Sequence, residues 1–121
     1  MSNKTKLGVS IDEYYQKRAD YLLIIKNSVE EINKFYNFSY NKITVRNQKT
    51  RWGSCSSKGN LNFNYRICLL NKDLMDYIIT HELCHLEQMN HSKNFWDLVQ
   101  KKIPLYKEKR KSLKRYVFHD M

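Results

Sequence analysis

The sequence predicts a small α+β domain: a long N-terminal helix, a short antiparallel β-hairpin, and then a run of helices. Three observations carry this. Apolar side chains recur at helical spacing through residues 11–36, alternate in period two between 60 and 68, and return to helical spacing after residue 71. With 121 residues the chain has length for one core, so residues 1–121 are read as a single domain. Hydrophobic residues at 41% and aromatics at 13% argue against a disordered chain.

Residues 1–9 are polar and are expected to be flexible. Ser10 with Glu13 forms an S-x-x-E capping box that opens the first helix, predicted over 11–36. Tyr15, Leu22, Ile25, Val29, Ile32 and Tyr36 form its core stripe. Ile43 to Arg46 read as a short strand, and Arg51 to Asn60 as an irregular loop closed by Lys58-Gly59-Asn60. Leu61, Phe63, Tyr65 and Ile67 alternate with polar residues, which predicts a half-buried strand over 60–68. The two strands are expected to pair antiparallel. Asn71 or Asp73 caps a second helix running to Met89, Ser92 caps a third running to Ile103, and Pro104 interrupts the pattern before a basic helix over 105–116.

His81-Glu82-Leu83-Cys84-His85 is an H-E-x-x-H motif. At 100° per residue, His85 falls about 40° from His81 and Glu82 about 100°. Met75, Ile79, Leu83 and Leu86 occupy a separate aliphatic face. Two imidazoles one turn apart can aim at one ion, and the glutamate can reach a water at that ion without ligating it. A catalytic zinc site takes three protein ligands. His91, Glu87 and His119 are the candidates for the third. Glu87 projects about 120° or more from both motif histidines and is rejected, and His119 lies near a chain end, where exposure is the rule. His91 reaches the site if Asn90 adopts the left-handed conformation and turns the chain back.

Lys49-Thr50-Arg51-Trp52-Gly53-Ser54-Cys55-Ser56, then Gly59-x-Leu61-x-x-Asn64-x-Arg66, then Asp76-Tyr77-Ile78-x-x-His81-Glu82-Leu83-Cys84-His85-Leu86, then Asn90-His91-Ser92-x-x-Phe95-Trp96 resemble the YgjP-like metallopeptidase family in order and spacing. The similarity spans about residues 12–115. The family is related to the SprT-like and WLM zinc proteases. The resemblance implies a zincin-like fold, one Zn2+ per chain on His81, His85 and His91, and Glu82 as catalytic base. Members carry extra strands before the long helix, which this sequence lacks. The resemblance also implies an edge strand beside the cleft, read here as Leu61 to Cys68, to which an extended substrate can pair.

Arg51, Asn64, Tyr65, Arg66 and Tyr77 are candidates for holding substrate or stabilising the oxyanion. Trp52 is expected to pack in the core, Gly53 to meet a backbone demand that a side chain would violate, Cys55 and Cys84 to be inert thiols, and Phe95 and Trp96 to pin the third helix so that His91 is held still. Cationic residues outnumber acidic ones by 22 to 12. The cluster Lys107, Lys109, Arg110, Lys111, Lys114 and Arg115 is either a nucleic-acid contact or a solvated face. Three functions follow. The first is a zinc peptidase acting on peptide or protein substrates. The second is a phosphoanhydride hydrolase with Arg46, Lys49, Arg51 and Arg66 on the phosphates. The third is a basic nucleic-acid-binding module with a structural metal. Three cysteines without a C-x-x-C pair, an N-terminus without an apolar h-region, and no apolar run longer than Leu22 to Ile25 predict a cytoplasmic protein with no membrane span.

Overall fold

The computed structural model of the protein describes residues 4–118. In chain order these form β1 (Thr5–Leu7), α1 (Ile11–Tyr36), β2 (Lys42–Arg46), β3 (Gly53–Cys55), β4 (Asn60–Asn64), a 3-10 turn (Tyr65–Leu69), α2 (Lys72–His85), α3 (Lys93–Lys102), α4 (Tyr106–Leu113) and β5 (Tyr116–Phe118). The α+β class stands. No described helix is long and apolar enough to cross a membrane.

Helix α1 begins where the capping box places it: the Glu13 N–H donates to the Ser10 hydroxyl at 3.1 Å. It ends at Asn37, which takes the left-handed conformation at φ 59° and donates its N–H to the Asn33 carbonyl. The buried stripe is Tyr14, Tyr21, Ile25, Val29 and Ile32. Tyr15, expected inside, is 67% exposed. Tyr14 and Tyr21 take the inner face because Tyr65 supplies a partner ring, 4.7 Å from the first and 5.3 Å from the second.

The hairpin involves a different strand from the expected one. β4 pairs antiparallel with β3, through a turn in which Gly59 takes φ 79° and donates to the Ser56 carbonyl. β2 pairs with the other edge of β4 in parallel, Ile43 opposite Leu61 and Val45 opposite Phe63. The sheet order is therefore β2-β4-β3, and β4 is its middle strand rather than an edge. Once the tight turn at 56–59 spends one edge of β4 on β3, β2 can join only at the other edge. The alternation that predicted a strand to residue 68 breaks at Asn64, whose side chain accepts from the Arg66 N–H and caps the 3-10 turn.

Residues 5–7, expected to be flexible, form β1, which pairs in parallel with β5 from the opposite end of the chain. One short strand does therefore precede α1. The Arg66 guanidinium ties β1 down, donating to the Leu7 carbonyl at 2.8 Å. Leu61, Phe63, Ile67, Ile79, Leu83, Phe95 and Val99 are fully buried and join the α1 stripe in one core.

Candidate metal centre and cleft

Helix α2 supplies the first two histidines. Asn71 caps it, accepting from the Leu74 N–H at 3.0 Å, and Ile78, Ile79 and Leu83 anchor its inner face. The helix ends at His85, four residues before the expected Met89. The Gln88 N–H returns to the Cys84 carbonyl, and the Gln88 carbonyl lies 2.9 Å from His85 Nδ1. Asn90 does not adopt the left-handed conformation; among the described non-glycine residues only Asn37 has positive φ. The tight turn after residue 85 reverses the chain instead. Ser92 then caps α3, so His91 immediately precedes a fixed helix start.

The three Nε2 atoms converge. His81 and His91 are 3.2 Å apart, His85 and His81 3.2 Å, and His85 and His91 3.1 Å. Tetrahedral ligation at zinc–nitrogen distances of about 2.0–2.1 Å would space ligand nitrogens by about 3.3 Å, so the cluster fits a divalent ion of that size. Tautomer chemistry agrees. A carbonyl can only accept, so His85 Nδ1 carries the proton against Gln88 and leaves its Nε2 lone pair aimed at the centre. Among the described residues, these three form the group whose donor atoms could hold a metal. Glu87 is not part of it, and His119 lies outside the described residues. Burial lowers His81 to about 3, assisted by the two neighbouring rings and Arg110; burial also lowers His85. The His81 and His85 rings are thus held neutral, as ligation requires.

Phe95 is the support that sequence spacing hinted at only for His91. Its fully buried ring stacks on His85 with centroids 4.4 Å apart and meets His81 and His91 edge-on at 4.9 and 5.1 Å. Trp96 stacks on His91 at 5.8 Å, on Tyr106 at 4.9 Å, and under the Arg110 guanidinium at 4.6 Å.

Glu82 lies 7% exposed on the wall of a cleft of about 700 Å³. Burial pushes its carboxyl up to about 8, against the pull of Arg51. Gly53 makes room for it: a Cβ there would stand 3.2 Å from Glu82 Cγ and 3.0 Å from the Asn62 carbonyl. The close approach explains why the position requires glycine.

The five substrate candidates separate. Arg51 and Tyr77 line the cleft, and Tyr77 Oη lies 3.4 Å from His81 Nδ1. Asn64, Tyr65 and Arg66 are fully buried and do not line it. Tyr65 accepts the Val9 N–H. Arg66 donates to Leu7, Asn47 and Gln48, and Asn64 donates to the Gln48 and Arg51 carbonyls. These two hold the loop that carries Arg51 and Trp52; they are its frame. An asparagine and an arginine in a polar alternation look like a solvated strand face, and only the overlying loop buries them.

Trp52, expected in the core, is half-buried on the cleft wall and meets Phe118 edge-on at 4.7 Å. Cys55 is half-buried, its thiol raised to about 11, first by burial and then by Glu82; Cys84 is fully buried. Neither belongs to the metal group. The basic cluster, read as a nucleic-acid contact or a solvated face, divides: Arg110 and Lys114 line the cleft together with Tyr116, Val117 and Phe118 of β5, while Lys109 faces Asp73 at 3.7 Å. Of the four cations read as phosphate holders, Lys49 and Arg51 line the cleft and Arg46 and Arg66 do not.

The family model described as YgjP-like, metallopeptidase domain, matches residues 2–116. No curated protein matches the chain. Among solved structures, the metallopeptidase zymogen abylysin of Pyrococcus abyssi is 25% identical, with a TM-score of 0.66 over 74% of this chain and 90% of that one. The metallopeptidase zymogen jannalysin of Methanocaldococcus jannaschii is 24% identical, with a TM-score of 0.59 over 73% of this chain and 94% of that one, and shares the fold.

Proposed function

Because the chain belongs to the YgjP-like metallopeptidase family, we propose that it is a zinc peptidase of the H-E-x-x-H type, with His81, His85 and His91 holding one ion per chain and Glu82 as general base. The observation that carries this reading is the triangle of Nε2 atoms, 3.1–3.2 Å on a side, beside a buried carboxylate. His81, His85 and His91 would hold a divalent ion, which when bound would supply Lewis-acid chemistry to the scissile carbonyl and an adjacent water.

The remaining work belongs to protein groups. Glu82 accepts the proton from the attacking water and delivers it to the departing amine, so one carboxyl serves both half-reactions. Tyr77 and Arg51, the two of the five candidates that line the same cleft, are the donors we assign to the developing oxyanion. β3, an edge of its sheet, offers backbone groups for an extended peptide. Phe95 and the Gln88 carbonyl fix the imidazoles, so little reorganisation remains when substrate arrives.

The test separates ligation from chemistry. Glu82→Gln should keep one zinc per chain and the fold while turnover of a peptide falls by about 10²–10⁴-fold, because the amide cannot accept the proton. His85→Ala should lose the zinc. A Gln variant with near-full turnover would remove Glu82 from the role of base.

A further inference from the structure

The cleft beside Glu82 carries a charge pattern that peptide hydrolysis by itself does not require. Among the described residues, five cationic side chains line it, Lys4, Lys49, Arg51, Arg110 and Lys114, and Glu82 is the one carboxylate. Trp52, Tyr77, Leu113 and Phe118 lie among them. Elsewhere some helix lysines pair with carboxylates, Lys17 with Glu13, Lys72 with Asp76 and Lys93 with Asp97. Arg51, Arg110 and Lys114 have no carboxylate partner within ion-pair distance among the described residues.

Arg110 is also held in place. Its guanidinium rests 4.6 Å above the Trp96 ring, and Trp96 stacks on His91. A fixed cation thus stands one ring away from the metal centre, with Lys114 one turn further along the same segment. Arg51 comes from the loop leading into β3. Cations brought together in a half-enclosed cleft repel one another and focus a positive potential on whatever enters. A ligand carboxylate relieves that repulsion and gains charge-assisted hydrogen bonds.

We propose that the cleft selects peptides with acidic side chains flanking the scissile bond, with Arg110 and Lys114 as the selecting groups on one element and Arg51 on another. This rests on the peptidase reading. The metallopeptidase family match makes a peptide the occupant, and a single-stranded nucleic acid, whose bases also stack on aromatic rings, is an outcome of the test.

Binding can be measured without turnover, using short fluorescein-labelled peptides and fluorescence anisotropy on two proteins: zinc-loaded Glu82→Gln and the zinc-free unmutated chain. The peptides share one composition frame and carry two central glutamates, two central glutamines, or two glutamates at the ends. The central-glutamate peptide should bind about ten-fold more tightly than the glutamine peptide at low salt, one well-placed charge contact. Arg110→Gln with Lys114→Gln should reduce that ratio below about two-fold while the variant stays folded and keeps one zinc per chain.

Equal affinity for central and terminal glutamates would reduce the effect to net charge and overturn the proposal. So would an oligothymidylate that binds more tightly than the central-glutamate peptide and loses its grip in the double variant, which would assign the cleft to nucleic acid. Cleavage of the glutamine peptide by the unmutated zinc-loaded chain tests the peptidase reading separately. If no peptide is cut while binding still discriminates, that reading fails and acid selection stands.

Discussion

Replacing Gly53 with alanine should damage catalysis more than folding. The new Cβ would meet the Asn62 carbonyl oxygen at 3.0 Å, Glu82 Cγ at 3.2 Å and Phe63 Cδ1 at 3.2 Å. Comfortable contact is about 3.5 Å or more, so each neighbour must yield by about 0.3–0.5 Å. The Asn62 carbonyl belongs to the ladder between β3 and β4, and Phe63 is fully buried in the core. Neither moves without disturbing several others. Glu82 has rotatable bonds and the open cleft on one side, so it absorbs most of the strain, and its carboxylate swings from its place.

Overpacking of this kind costs about 1–3 kcal/mol, which in a domain of this size lowers the melting temperature by about 4–12 °C. If Glu82 is the base, displacing it by up to about 1 Å costs about 10²-fold in turnover. The assay is a melting curve, a zinc titration and peptide turnover on one preparation. Zinc affinity should hold, because Gly53 does not touch the three imidazoles. Gly59→Ala provides the comparison: Gly59 sits at φ 79° in the β3–β4 turn, so alanine is strained there by about 1 kcal/mol, yet the site is untouched. Gly53→Ala with full turnover, or Gly59→Ala with the same catalytic loss, would refute the claim that Gly53 exists to seat Glu82.

Phe95→Ala should cost about 3–5 kcal/mol as a buried aromatic truncation and weaken zinc binding in the same variant, since the ring contacts all three histidines; chelator competition checks this. Arg66→Met should destabilise by several kcal/mol, at about 1–3 kcal/mol for each carbonyl left without a donor, and a denaturant titration showing less than 1 kcal/mol would contradict its framing role. Stripping zinc should lower the melting temperature and readdition restore it, by about 4 kcal/mol at a thousand-fold excess over Kd, with no shift in His85→Ala. The zinc-free protein should be most stable near pH 6.5. His81 and His85 both titrate below the ordinary 6.5 when folded, so their contribution is whole above 6.5 and is lost as pH falls, that of His81 down to about 3; Glu82 is raised from 4.5 to about 8, so its contribution is whole below 4.5 and is lost as pH rises through 8. Glu82→Gln should remove the alkaline decline in melting temperature and leave the acidic one.

Much of the helical framework was legible because helix ends are local chemistry. Ser10, Asn71 and Ser92 each cap through their own side chain within three residues, and such signals need no knowledge of the fold. Strand pairing is not local. Nothing in Ile43 to Arg46 says which edge of β4 it will find, and the three-residue strand at Gly53 is too short for periodicity to register. The pairing of residues 5–7 with 116–118 joins segments about a hundred positions apart, and no composition signal marks either partner.

The site divides along the same line. His81 and His85 follow from one turn of helix, so their convergence could be read directly. His91 arrives by a route the spacing did not specify: the Gln88 N–H closes on Cys84 and the turn forms without a left-handed residue. Arg66 and Arg110 show what a sequence hides most completely. Both are arginines in polar surroundings, yet one is sealed under a loop and spends its donors on main-chain carbonyls, while the other lies across a tryptophan at the rim of the cleft. Which arginine frames the site and which faces a ligand depends on what covers each one. Coverage is a property of the assembled fold: here the 47–51 loop seals Arg66, and the open cleft between α4 and β3 leaves Arg110 to be met from outside.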